Sequence, residues 1–176
     1  MTVVRFLMLL SLVVWVGGII FFAFVVAPAL FSVLPTRQLA GSVVTRCLGA
    51  LHWIGIGCGV AFLIFSLVEA HGRLASLRNG LIVAMLALTM VSQIFVGGRM
   101  QALRANMGDI DTVSVTDARR VEFNSLHQWS TRLEVMVLLL GLVAIYTMAR
   151  QTNVPSPQAG AASAKARPDA RAVSPG

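Results

Sequence analysis

GLIVAMLALTMVSQIFVGG, residues 80–98, decides the fold: a stretch of nineteen residues without one charge. A helix needs about 20 predominantly apolar residues to cross the hydrocarbon of a bilayer. Three further runs, nearly uncharged, occupy about residues 4–27, interrupted by Arg5, then 44–68, with Arg46 near its start, and 129–148, with Arg132 and Glu134 near its start. Inside hydrocarbon every backbone N–H and C=O must be paired within the structure, which leaves helices or a closed barrel. Barrel strands alternate in polarity and are about half as long, so these runs are helices. Four of them joined by mostly short links predict an all-α, integral membrane, antiparallel four-helix bundle over residues 1–150.

Composition agrees. The chain is 57% apolar and 12% charged with a mean hydropathy of +0.81, against about 45–50% and 25% for a soluble domain. That much apolar surface cannot be hidden inside one water-facing globule. The net charge of +7 would suit a nucleic-acid partner, but the arginines punctuate the ends of the apolar runs instead of forming a patch. The bilayer is the expected partner, and nucleic acid is not. Residues 151–176 hold four of the six prolines and no apolar periodicity, which predicts a disordered Pro/Ala/Ser-rich tail.

Around the spans, the first run exceeds a signal-peptide core of about 7–15 residues and reads as a retained span ended by Pro28. Residues 29–43 are too apolar for a free loop and are expected at the interface. Glu69, His71, Gly72, Arg73, Arg78 and Asn79 form a polar turn, with His71 a solvated loop residue. Between 101 and 128 the acids cluster, and Thr116 or Ser114 is expected to cap a helix over 118–126 that feeds the fourth span. Seven basic residues fall on each side, so the positive-inside count ties. Both termini are placed in the cytoplasm of a bacterial inner membrane. Cys47 and Cys58, eleven helical residues apart, are roughly 16 Å from each other and cannot bridge within one helix.

Trp15-Val-Gly-Gly18, Phe21, Phe22, Phe24, Pro28-Ala-Leu-Phe31, Leu34-Pro35 and Ala40-Gly41 together resemble the opening of transmembrane-protein-205-like proteins. Phe123-Asn-Ser-Leu-His127-Gln-Trp-Ser130 resembles that family's closing signature. The resemblance implies a four-span membrane domain and no reaction. More distantly, Trp-Val-Gly-Gly is similar to the opening of copper-resistance D-type membrane proteins.

Ionisable groups at membrane depth are functional candidates by default. His52, Gly55 and Gly59 share one helical face, and Gly55 with Gly59 forms a GxxxG that lets a second helix approach. Asn124, His127, Thr131 and Glu134 make a second stripe. In an up-down bundle His52, Gln93, Arg99, His127 and Glu134 belong to one membrane half, which predicts a shared polar cavity. The plainer alternative is interhelical hydrogen bonding for His52, and an ion pair of Glu134 with Arg132, Arg99 or Arg104.

Three functions follow as expectations. The first is a non-enzymatic bundle that binds or conducts a small solute or ion, or scaffolds partners, with homo-oligomerisation through Gly17 and Gly18 or Gly55 and Gly59. No cofactor is expected on this reading. The second is a haem or copper protein liganded by His52 and His127. The third is an enzyme using His127 and Glu134 as acid and base.

Overall fold

The computed structural model describes residues 3–68, 73–107, 113–114 and 116–151. The expectations for Glu69, His71 and Gly72, and for the tail after Gln151, lie outside them. Among the described residues there are helices and no strands.

Four helices are long and apolar enough to cross a membrane. Helix α1 runs from Val3–Phe21 through a π-helical stretch, Phe22–Val26, into Ala27–Val33. Helix α2 is Arg37–Ser66. Helix α3 runs from Arg73–Val91 through a second π-helical stretch, Ser92–Gly97, into Gly98–Met107. Helix α4 is Ala118–Gln151.

Neighbouring helices run antiparallel. Trp15 meets Gly55 and Gly59 while Gly18 meets Leu51. His52 bonds Gln93 near the middle of the pair, whereas Phe62 lies under Arg78 at its end. Met85 packs at Gly141, and Arg99 reaches Glu122. The expected bundle is therefore the observed one.

One end of the bundle is dry. Met8, Leu12, Trp15, Val16 and Ile19 recur along one face of α1 and meet Phe62, Ile82, Met85, Val137, Ala144 and Met148. The glycines of the other helices make room for this face. A Cβ at Gly55 would run into the Trp15 indole, and one at Gly59 would stand 2.7 Å from both Trp15 and Leu86. Outward-facing Phe6, Val13, Ile54, Val83 and Leu139 are exposed, as lipid-facing side chains of a span must be. A smaller cluster, Val96, Met100, Leu103 and Phe123, packs α3 against α4 toward the far end.

The helices outrun the spans read from hydropathy. They cover 3–33, 37–66, 75–106 and 118–150, where about 4–27, 44–68, 80–98 and 129–148 were expected. At 1.5 Å per residue, 30 residues extend about 45 Å, past a hydrocarbon slab of about 30 Å. Apolarity ends at the interface but helical hydrogen bonding does not. The segment expected as an interfacial connector is the end of α1, a turn at Leu34, Pro35 and Thr36, and the first turns of α2. Thr36 caps α2, its Oγ1 accepting the Leu39 N–H at 3.2 Å.

Pro28 does not end α1. Proline cannot donate to the carbonyl four residues earlier, and its ring presses on that carbonyl. Here the preceding turn is widened: the Ala27 N–H goes to the Phe22 carbonyl, five residues back, and the helix passes the proline. The cap of α4 is Asp117, not Thr116 or Ser114. Its carboxylate accepts the Arg119 backbone N–H at 2.8 Å. The Arg119 side chain, hydrogen-bonded to it, holds the Asp117 carboxyl below the usual carboxylate range.

Candidate functional site

Away from the termini the four helices enclose a cleft of about 560 Å³, within the range of small-molecule sites. Both π-helical stretches border it. Phe22 and Ala23 come from the first, and Ser92, Gln93 and Gly97 from the second. Beyond its π-helical stretch α1 buries no residue, and Ala27–Val33 packs chiefly against α2. The first helix therefore leaves the bundle axis to the cleft, with Ala27 and Phe31 on its wall.

Each wall is a continuous helical stripe. On α2 it is Arg37, Gly41, Thr45, Leu48, Gly49 and His52; on α3 it is Gln93, Gly97, Met100 and Arg104; on α4 it is Arg120, Phe123, Asn124, His127, Thr131 and Glu134. Spacings of three and four residues keep each set on one face.

At the deep end three of the expected residues meet. His52 is buried, with 4% of its surface exposed. Its Nδ1 lies 2.8 Å from Gln93 Oε1 and its Nε2 3.0 Å from Glu134 Oε2. The Gln93 oxygen only accepts, so Nδ1 carries a hydrogen and donates to it. The contact between Nε2 and Oε2 then holds one proton, on the imidazole or on the carboxyl. Either way His52 and Glu134 are neutral as a unit.

His52 comes fifteen residues after Arg37 and fourteen before Ser66, and Glu134 sixteen after Ala118 and seventeen before Gln151, so both stand at mid-helix.

The remaining expectations divide. His127 lines the cleft, but Glu134 takes His52 as its partner, so an acid–base pair of His127 with Glu134 is not formed. Nor does Glu134 pair with Arg132, Arg99 or Arg104. Arg99 is outside the cleft: its side chain is 62% exposed and its Nε donates to Glu122 at 2.8 Å. Of the packing glycines, Gly18, Gly55 and Gly59 are filled by Leu51, Trp15 and Leu86 of the same chain, while a Cβ on Gly17 would meet nothing within 4 Å. The Gly55–Gly59 notch therefore holds Trp15 where a second copy was expected.

The haem or copper reading fits these residues poorly. Both ring nitrogens of His52 are engaged by Gln93 and Glu134, and no group of three or more His, Cys, Asp or Glu among the described residues is placed to hold a metal ion. Cys47 and Cys58 are free thiols.

Four arginines carry more than their sequence positions suggested. Arg104 is half-buried, donates to Thr45 Oγ1 at 3.3 Å and lies over the Phe123 ring at 5.2 Å. Arg37 and Arg120 line the same cleft, and Arg120 donates to the Val113 carbonyl. Arg78, expected in the turn, is buried in the dry half with its guanidinium 5.5 Å from the Phe62 ring centre. The signal for Arg104 was present: it continues the Gln93, Gly97, Met100 stripe by four residues.

Fold and cleft together define a four-span helical membrane protein whose cleft, in one half, ends on a polar set of side chains. The chain belongs to the family described as a domain of unknown function (DUF4149), whose profile matches residues 10–109, more than half of its length. That description carries no activity. The match covers most of α1 and all of α2 and α3, so Phe123–Ser130 lies outside it. Transmembrane-protein-205-like and copper-resistance D-type proteins are not among the matches. No curated protein and no solved structure matches the chain.

Proposed function

We propose that the chain is a non-enzymatic membrane protein that binds a small solute in the cleft. The observation that carries this reading is a cavity of about 560 Å³ whose deep end is a buried, hydrogen-bonded His52–Gln93–Glu134 set. Polar groups at that depth are costly to retain and mark solute or ion paths.

Two features favour binding over conduction and over catalysis. Below the polar set, Trp15, Phe62 and Met85 are close-packed, so a single chain offers a pocket and no through-pore. The His52 ring has no nitrogen left to activate a nucleophile, since both are hydrogen-bonded within the set. With both termini in the cytoplasm, the cleft opens to the outside of the cell. Self-association, if part of the function, falls to the outward-facing Gly17 face of α1.

Native mass spectrometry of the full chain released from its membrane tests the reading. A retained small molecule is expected, and it is lost from Gly49→Trp, because Gly49 lines the cleft beside Gln93 and an indole there would project into it. A natural chain that emerges without any adduct, or an adduct unchanged by Gly49→Trp, overturns the proposal.

A further inference from the structure

Charge in the cleft is unbalanced, and the imbalance names a ligand class. Glu134 is the one carboxylate among the lining residues, and the proton it shares with His52 leaves that pair neutral. Arg37, Arg104 and Arg120 also line the cleft. Among the described residues none of the three has a carboxylate partner: Arg104 bonds Thr45 and Arg120 bonds the Val113 carbonyl. The two acids that flank Arg120 are committed elsewhere, Asp117 to Arg119 and Glu122 to Arg99.

Arg104 is the most telling of the three. Its Nε is buried without a hydrogen-bond partner, and guanidinium never deprotonates to relieve that cost. The space around it is made for it. A Cβ on Gly41 would stand 2.7 Å from Arg104 Nη2, and Phe123 supplies a ring face beneath. Arg104 follows Gln93 by eleven helical residues, so it stands about 16 Å from the deep set along α3.

We propose that these three arginines, with Arg104 held in place by Thr45, form a binding site for a phosphate-headed anion at the mouth of the cleft. The inference rests on the solute-binding reading above and specifies its ligand. Guanidinium matches phosphate in geometry and binds it bidentately, and three such groups suit a multiply charged head better than a single carboxylate. The deeper cleft, walled by Phe22, Leu48 and Met100, accepts the less polar remainder of the molecule. The head can belong to a phospholipid or to a soluble phosphate ester, since the chemistry at the arginines is the same.

The test is the thermal unfolding midpoint of the full-length protein in a neutral detergent at constant ionic strength. Inorganic phosphate replaces chloride in one arm, and mixed micelles carry phosphatidylglycerol or phosphatidylcholine in the other. A saturable rise with inorganic phosphate supports the site with a soluble ligand. A rise with phosphatidylglycerol alone supports it with a lipid head. In either case Arg104→Gln weakens the half-saturation about tenfold or more, the effect of losing a charged hydrogen bond. Arg99→Gln, outside the cleft, leaves it unchanged. Should Arg104→Gln fail to fold, Arg37→Gln replaces it, because that side chain is exposed, and the same weakening is expected. No rise in either arm, or an equal rise in the Arg104 or Arg37 variant, overturns the site. If a retained molecule is still lost from Gly49→Trp, the solute reading survives that failure; if not, both fall.

Discussion

The two halves of this bundle solve the same problem in opposite ways. Toward the termini, glycines on α2 and α4 admit large side chains of α1 and α3, and Trp15, Val16, Phe62 and Met85 fill the axis. Away from the termini the glycines on α2 face a void or a guanidinium instead: Gly49 has only Gln93 nearby, and Gly41 makes room for Arg104. The same residue type packs one half and opens the other. What decides between them is α1, which presents Trp15 to the dry half and passes beside the cleft after the π-helical stretch at Phe22–Val26.

Substitutions should separate the halves by size of effect. Trp15→Ala is expected to cost the most, about 3–5 kcal/mol by the usual measure for a buried aromatic, read as a loss of reversible unfolding free energy in detergent. Gly55→Leu should be nearly as damaging, because the Trp15 indole occupies the space. If Trp15→Ala costs no more than a change at the cleft, the dry half is not the stabilising one.

Next in size comes the polar set. His52→Leu and Glu134→Leu should each destabilise by about 1–2 kcal/mol, the scale of a strong interhelical hydrogen bond in a membrane. The double substitution should cost less than the sum, because one replacement alone strands the partner. Strict additivity in that cycle would contradict the His52–Glu134 contact.

How much of this was legible in the sequence depends on which physical signal carried it. The four apolar runs, of which 80–98 is the cleanest, give span number and hence antiparallel order, because hydrocarbon leaves no alternative to helices. His52, Gln93 and Glu134 were recoverable as a set because antiparallel order places their helix segments in one half. Arg99 was assigned to that set wrongly, since depth alone does not say which way a side chain points. It sits six residues after Gln93, on another face, whereas Arg104 continues the stripe. The use of Gly55 and Gly59 by Trp15 was not legible either. A GxxxG reports that something packs closely, and only the third dimension says whether it is another chain or an indole of the same one. Pro28 misled for a similar reason: its rule concerns an ideal α-turn, and the widened turn before it escapes the rule.

Smaller effects sharpen the comparison further. Asp117→Ala should lower the midpoint modestly by removing the cap of α4. Because its carboxyl titrates below the ordinary range in the folded state, its contribution is present above the ordinary carboxylate pKa. It is lost as pH falls through the depressed value. A cap contribution that grew on acidification would contradict the Arg119 contact. Gly17→Ala, with open space around it, should change stability by less than about 0.5 kcal/mol, in contrast to any enlargement at Gly55.

The contrast between an open and a dry half is tested most directly by thiol labelling of membranes, in a Cys47→Ser, Cys58→Ser background. Ser92→Cys lies on the cleft wall and Ala144→Cys in the dry core, though both native side chains are buried. A small membrane-impermeant methanethiosulfonate should modify Ser92→Cys from one side of the membrane and leave Ala144→Cys unmodified. Equal protection of the two, or faster modification of Ala144→Cys, would contradict a solute-accessible cleft above a sealed core.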